Sequence, residues 1–484
     1  MKASKNNIIR SSKLDIATKK MINLNHDLVI NRGDLDLYLE AKIDDEVVLS
    51  KKGDSLVANF VKLFFSAAGE YQTVGDQPWR NVTNPITITN VSSGTGGVVR
   101  ITVASGMTAS ATKVSVHGVQ GVSINGVYDY NYISTTAIEL VGTTYGAGWT
   151  SGTGAIQFFL PAQGTGGPRN FADANLIVGT GTTAVAITDW HLDNKIPEGT
   201  TTGKLVHNST IISEDTSDAT TAQITITRTF TNSGPSTITI NEAGLEVSFG
   251  SSSATTLRHL VMRDLLPGGV AVAVGKTLTI NYRIKTQLSA GTNPGGFIAN
   301  FMKMLYKQMA ATTRAIIDIN NVSTSAYHNC ITFNFLSSGG DNRQFYGLDG
   351  TQFNTEGWKK GIVVGIGTTS TSMNDYFLET PVEHGSGSGE MLQYGCFVSD
   401  YVVDATSAQF KVYKIFENVS GTSITINEIG LTAGAVAYDN STSAGAEGRL
   451  AAKWALIARN ILTTPVTVAN NEVLKVSYTI RVEV

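Results

Sequence analysis

Glu242 with Arg263, and Glu428 with Arg459, are the charged residues that recur together in two similar settings along the chain. A carboxylate beside a guanidinium can serve acid–base chemistry, hold an anion or close a buried ion pair. A catalytic pair repeated in two places is one reading. The stronger one is architectural, a buried pair tying a strand to a helix, because breaking such a pair from one side strands an uncompensated charge. Other candidates fail on spacing. The seven histidines (26, 117, 191, 207, 259, 328 and 384) form neither His-x-His nor His-Glu-x-x-His. Residues 269–277, GVAVAVGKT, place five residues between glycines where a phosphate-binding loop has four, and they alternate as a strand. Asp34, Asp36, Asp44, Asp45 and Glu46 lack the glycine and distal ligand of a calcium loop and read as solvated turns. There is no Gly-x-Ser-x-Gly elbow. Paired glycosidase carboxylates have no fixed sequence spacing, and nothing here points to them. The sequence therefore assigns no catalytic, cofactor-binding or metal-ligating residue and leaves Glu242, Arg263, Glu428 and Arg459 as structural pairs.

These pairs sit inside a longer repeat. Residues 238–245 read ITINEAGL and residues 424–431 read ITINEIGL, an offset of 186. The same offset aligns Phe230 with Phe416, Asn232 with Asn418, Gly179 with Gly365, Asp189 with Asp375 and Leu192 with Leu378. It also sets His191 against Phe377 and His207 against Gln393, so neither histidine repeats. Downstream the offset becomes 196, aligning Arg263 with Arg459, Leu266 with Leu462, and LTINYRI (278–284) with LKVSYTI (474–480). Upstream, LVANFVKLFF (56–65) matches FIANFMKMLY (297–306). So many ordered matches indicate an internal duplication.

The elements that must position the pairs follow from periodicity. Leu56, Val57, Phe60, Val61, Phe64 and Phe65 recur at helical spacing behind a capping Asp54 or Ser55. Phe297, Ile298, Phe301, Met302, Leu305 and Tyr306 do the same after Pro294-Gly-Gly. Both aromatic faces read as core. Ile and Phe alternating with Thr predict strands at 223–230 and 236–240. A second helix is expected at about 257–266 and about 449–462, carrying the shared arginine, and each copy should close in a hairpin. The fold class is all-β: two homologous β-sandwich-like domains, each with one or two packed helices. The first copy is longer, and its extra residues carry close turn signals at Gly96-Gly97 and Asn125-Gly126 between Gly-rich flanks. They predict a small inserted β-barrel-like module. The expected division is an N-terminal arm and lead-in (1–52), a first duplicated domain (53–85 and 159–288), the inserted module (86–158) and a second duplicated domain (293–484).

Composition agrees. Only 15% of residues are charged, against the usual quarter, while Gly is abundant at 49 residues. Thr, Ser and Asn make up the difference, which suits strand surfaces and turns. A net charge of −3 argues against a dedicated nucleic-acid binder. The exception is the N-terminal arm, where Lys2, Lys5, Arg10, Lys13, Lys19 and Lys20 face Asp15 alone. With too few apolar residues for a core, this arm reads as a solvated or loosely docked segment or, more sharply, as one that grips an acidic patch on a neighbouring subunit and is ordered by it. Cys330 and Cys396 make neither a disulfide framework nor a four-ligand zinc site and read as free buried thiols. No apolar run reaches membrane-spanning length and no signal-peptide pattern opens the chain, so a cytoplasmic origin is expected.

Two resemblances add to this reading. Val114, Val116, Gly118, Val119, Gly121, Val122, Asn125, Gly126 and Tyr128 open a pattern that Thr135, Ile138, Leu140, Gly142, Thr143 and Tyr145 continue and residues 149–154 (WTSGTG) close. That pattern resembles a small β module of many phage tail-associated proteins, and a non-catalytic half-domain of ubiquitin-activating enzymes. The frame of Asn418 and Ser420, ITINEIGL, Ala458-Arg459, PVTV (465–468) and LKVSYTI is similar to the closing part of tailed-bacteriophage virion proteins. The first copy departs from it at Met262-Arg263-Asp264 and Pro267-Gly268-Gly269. The resemblance implies a non-enzymatic virion component, made in the host cytoplasm, without cofactor, partnered by other virion proteins and copies of itself. Tail, neck or collar is the expected location, with capsid decoration or a glycan-binding adhesin as alternatives. In the adhesin reading Tyr128, Tyr130, Tyr145 and Trp149 would stack on host-surface sugars.

Overall fold

The computed structural model describes residues 19–30, 35–53, 56–61, 79–81, 86–161 (except 108, 110–112, 118, 120 and 125), 172–248, 258–288, 295–310, 314–326, 357–398 (except 360), 402–438 and 450–484. The architecture is all-β.

The lead-in forms three strands, β1 (Met21–Ile30), β2 (Asp36–Ile43) and β3 (Glu46–Lys52). Asp44 and Asp45 form the β2–β3 turn at positive φ, as solvated-turn residues should. The inserted module comprises β4 (Trp79–Asn81), β5 (Ile86–Ser93), β6 (Val99–Val103), β7 (Lys113–His117), β8 (Gly126–Tyr128), β9 (Tyr130–Ser134), β10 (Ala137–Leu140) and β11 (Ala155–Pro161). These make one sheet, in the order β8-β7-β11-β5-β6-β10-β9 with β4 beside β11. Val91, Val99, Ile101, Val114, Val116, Ile138, Leu140 and Phe158 give the module an apolar core of its own. Its sheet begins at Trp79 and ends at Pro161, so it reaches beyond the 86–158 expected from sequence.

The first sandwich follows with β12 (Ala172–Gly179), β13 (Val206–His207), β14 (Ile211–Asp215), β15 (Thr221–Thr231), β16 (Ile238–Ser248), β17 (Arg258–Val272) and β18 (Thr277–Gln287). One sheet runs β12-β16-β17; the other runs β13-β15-β18-β2-β3, with β14 also on β15. Alternation explains the second sheet: Ala222, Ile224, Ile226 and Phe230 of β15 and Leu278, Ile280, Tyr282 and Ile284 of β18 are buried, while polar residues such as Thr225, Thr279 and Arg283 lie between them.

The second sandwich contains β19 (Gly295–Phe297), the helix α1 (Ala299–Ala310), β20 (Arg314–Ile317), β21 (Ser323–Ala326), β22 (Gly361–Gly365), β23 (Leu392–Val398), β24 (Val402–Val403), β25 (Ser407–Glu417), β26 (Ile424–Tyr438), β27 (Leu450–Val468) and β28 (Val473–Glu483). Its sheets run β19-β27-β26-β21-β20, with β22 on β26, and β1-β28-β25-β23, with β24 on β25. The pairings β12·β16·β17 and β15·β18 of the first sandwich thus reappear as β22·β26·β27 and β25·β28.

Several expectations are corrected. The second helix of each copy, about 257–266 and 449–462, is a strand where described, in β17 and β27. Residues 259–264 and 454–460 are buried without interruption, on both faces. A strand covered on both sides loses its alternation and reads like a buried helix. The closing hairpin is absent as well, because β17 and β18 lie in opposite sheets, as do β27 and β28. Alternating sequence on either side of a tight turn does not specify which layer each strand joins. The decoy at 269–277 is the end of β17, a turn with Gly275 at φ 78°, and the start of β18, with no helix after it.

The helical starts are present. Residues 58–61 form a helical turn, while Asp54, Ser55 and residues 62–65 lie outside the described residues. In the second copy Phe297 and Ile298 precede α1, and the Phe297 and Phe301 rings stack at 4.0 Å. Both starts dock alike: Val57 N donates to Val261 O and Ala58 N to Ile187 O, and Ile298 N donates to Ile457 O and Ala299 N to Met373 O.

Residues 19–30 pair within the chain. Strand β1 lies parallel to β28, from Met21 opposite Val473 to Ile30 opposite Val482. The next strand, β2, lies antiparallel to β18. The lead-in therefore contributes to both sandwiches, the β2–β3 hairpin to the first and β1 to the second. Nor do the two copies have separate cores. One apolar cluster runs from Leu39 and Ile280 through Phe301, Met302 and Leu305 of α1 to Phe416 and Tyr478. Helix α1 packs on β12, β14 and β15 of the first sandwich as well as on β20 and β27.

Candidate functional site

Glu242 and Arg263 stand on adjacent strands, β16 and β17, rather than on strand and helix. Both are buried, at 0% and 1% exposure. Arg263 Nε donates to Glu242 Oε2 at 2.9 Å. The second pair repeats this on β26 and β27, with Arg459 Nε 2.9 Å from Glu428 Oε2. Each pair lies beneath a long loop, the one after β12 in the first sandwich and the one after β22 in the second, and the loop closes on the carboxylate. Glu242 Oε1 accepts from Gly181 N (3.0 Å) and Asn194 N (2.8 Å), and Oε2 accepts from Asp193 N (3.1 Å). Glu428 accepts from Gly367 N (3.2 Å), Thr380 N (2.9 Å) and Glu379 N (3.2 Å) at the corresponding positions.

The arginine holds the same loop through its other nitrogens. Arg263 Nη1 donates to Asp189 Oδ2 at 2.7 Å, and Nη2 donates to Thr183 O at 3.0 Å and approaches Asp193 Oδ2 at 3.0 Å. Arg459 Nη1 donates to Asp375 Oδ2 at 2.7 Å and Nη2 to Thr369 O at 3.1 Å. Both aspartates also accept a loop N–H at 2.9 Å, from Ala186 and Ser372. Burial works to lower the Arg263 pKa, but the Asp189 hydrogen bond and the charges of Glu242, Asp189 and Asp193 outweigh it, so the guanidinium is held above its ordinary value. Arg459 is raised likewise, against burial, by Asp375 and Glu428.

This arrangement limits the chemistry available. An ionised carboxylate offers about four lone-pair positions, and Glu242 fills them with three backbone donors and Arg263. A base needs a free lone pair toward its substrate, and an anion site needs free guanidinium N–H groups. Each pair is instead a lock that fixes a loop onto a sheet. Beneath the same loops Ile177, Leu192 and Leu260 pack together in the first sandwich. Val363, Leu378 and Leu456 do so in the second, with Ile298.

Asp189, Asp375 and Asp193 were not expected in the site. A usable signal was present, since Asp189 and Asp375 align at the offset of 186 together with the Gly-x-Gly steps 179–181 and 365–367. A Cβ on Gly181 or Gly367 would lie 2.5 Å from the glutamate Oε1, so a side chain there would displace the carboxylate.

Other candidates resolve similarly. His191 Nδ1 lies 2.6 Å from Leu192 O, and burial holds its ring below the usual imidazole pKa. Cys396 is buried, while Cys330 lies outside the described residues. Among the described residues no group of His, Cys, Asp and Glu is placed to hold a metal ion, and no helix is long and apolar enough to cross a membrane. In the module, Tyr128, Tyr130, Tyr145 and Trp149 are partly buried against the core, and Trp149 Nε1 donates to Thr153 O at 3.2 Å. Of the arm, Lys19 pairs with Glu417, and Lys20 Nζ lies 2.6 Å from Glu472, both acids belonging to the second sandwich. Lys2, Lys5, Arg10 and Lys13 lie outside the described residues. Comparison with family models, with curated proteins and with solved structures finds no match to this chain.

Proposed function

We propose that the chain is a non-enzymatic structural component of a tailed-phage virion, assembling with neighbouring virion subunits and with copies of itself, at the tail or at the neck or collar. The two sandwiches are duplicated domains and the module is an insertion between the halves of the first. The observation that carries the proposal is the repetition of one saturated Glu–Arg–Asp lock. A chain whose recurrent buried charges all serve to fix loops onto sheets presents two rigid, similar platforms. A ring of such chains offers twice as many near-equivalent contact surfaces as it has subunits. The alternatives are capsid-exterior decoration and a host-glycan adhesin. The adhesin reading loses support from Tyr128, Tyr130, Tyr145 and Trp149, which are partly buried against the module's core.

The test is direct. Antibody labelling and mass spectrometry of purified particles from a producing host should find the chain in stoichiometric amount at the tail or neck. Its absence from particles would overturn the proposal. Labelling over the whole head would favour decoration. Loss of host attachment by otherwise complete particles lacking the module would favour the adhesin.

A further inference from the structure

The two sandwiches fill one equivalent position differently. Beside β18 lies the β2–β3 hairpin, antiparallel, and the chain then runs on to Leu56, which bridges to Met262 of the same sandwich. Beside β28, the equivalent strand, lies β1, parallel. Strand β1 is followed in sequence by β2, which belongs to the other sandwich. The second sandwich thus takes its edge strand from a segment whose continuation is elsewhere.

That edge is shaped for this segment. Leu28 is fully buried and Ile22 and Leu24 pack against the core, while Asn23, Asn25 and Asp27 face outward. The His26 ring meets Tyr478 edge-on at 5.4 Å. At the start of the strand, Lys19 and Lys20 meet Glu417 and Glu472, whose side chains are only 7% and 16% exposed. Tyr394 OH also donates to Glu417. The edge therefore recognises two lysines followed by Ile, Leu, His and Leu at alternate positions. Every copy of the chain carries that sequence.

The geometry points to β28 as a strand-acceptor site, at which residues 19–30 of a second copy replace the chain's own. The ladder, the apolar row and the two ion pairs are the same whichever copy supplies the strand, so exchange costs little beyond the change of connection. This deepens the assembly proposal and rests on it only in that copies must meet.

The experiment uses full-length protein. Asn23 and Lys475 are partners in the ladder, and so are Asn25 and Ser477. Asn23→Cys and Lys475→Cys are made on separate chains, co-expressed and oxidised, and disulfide-linked peptides are mapped by mass spectrometry. A chain carrying both substitutions serves as the reference, and Asn25→Cys with Ser477→Cys is a second pair in case the first perturbs folding. Exchange predicts an interchain 23–475 disulfide in the mixture, reduced several-fold when Lys19→Glu and Lys20→Glu are added to the donor. A disulfide formed only within the doubly substituted chain overturns exchange, and no disulfide in either format overturns the site itself. A yield unaffected by the lysine changes overturns the recognition described above. Incorporation into particles is scored separately, so the assembly proposal and the exchange can fail independently.

Discussion

Arg459 satisfies Glu428, Asp375 and the carbonyl of Thr369 at once, so its removal leaves two acids without their shared cation in a site where the arginine is 2% exposed. Arg459→Leu is expected to lower stability by roughly 3 kcal/mol, measured by denaturant titration, because a buried charge is left unpaired. Arg459→Lys should recover little, since one ammonium cannot reproduce the planar fork that reaches both carboxylates. At His207, burial first, then the charges of Arg228 and Lys195, bring the imidazole pKa down from 6.5 to about 4. The unfolded chain takes up this proton near pH 6.5 and the folded protein only near 4. Stability should therefore fall as pH drops from about 6.5 to about 4, and this contribution should level off below that. His207→Gln, which installs the residue that the second copy holds at Gln393, should flatten that part of the pH profile in thermal melts. At this scale the sequence was partly legible. Glu242, Arg263, Glu428 and Arg459 were visible as pairs because they repeat. Asp189 and Asp375 repeat too, but their role depends on a loop folding back over a sheet, and no local pattern encodes that.

Among the elements, the module and β1 should respond differently to deletion. Pro161 and Trp79 are partners across β11 and β4, so the module leaves and re-enters its host one strand spacing apart. Deleting residues 79–161 with a short Gly-Ser bridge should leave both sandwiches folded, checked by amide protection of β15 and β25. A deletion at the boundaries read from sequence would leave part of β11 without its partners. Removing residues 1–30 should instead unprotect β28 in hydrogen exchange and promote association through the bared edge. From sequence this segment looks like a solvated arm, because its lysines and asparagines mask the alternation of Ile22, Leu24 and Leu28. The strands β17 and β27 read as helices for the opposite reason, because their stretches 259–264 and 454–460 are covered on both faces. Strands with one wet face, such as β15 and β18, were legible throughout.

At the level of the molecule, one apolar cluster joins both sandwiches through α1, while the module keeps a separate core. Calorimetry should accordingly show the sandwiches unfolding in one cooperative transition and the module in another; deletion of the module should abolish only its own. A duplicated sequence suggests two independent domains. It cannot show that the helix opening the second copy also packs on the first, because that contact joins surfaces distant along the chain.

The pairing of β1 with β28 also orders events in time. Lys20 and Glu472 are 452 residues apart, and at ribosomal elongation rates that interval is roughly 20 to 90 s of synthesis. Strand β1 must remain unpaired in the ladder until β28 leaves the ribosome, while β2 can be enrolled as soon as β18 emerges. The first sandwich can therefore mature on the ribosome, whereas the second closes only after nearly all of the chain has been made. During that interval many nascent chains on one messenger would hold free copies of the same strand close together, and translation would itself bring donors and acceptors within reach of one another.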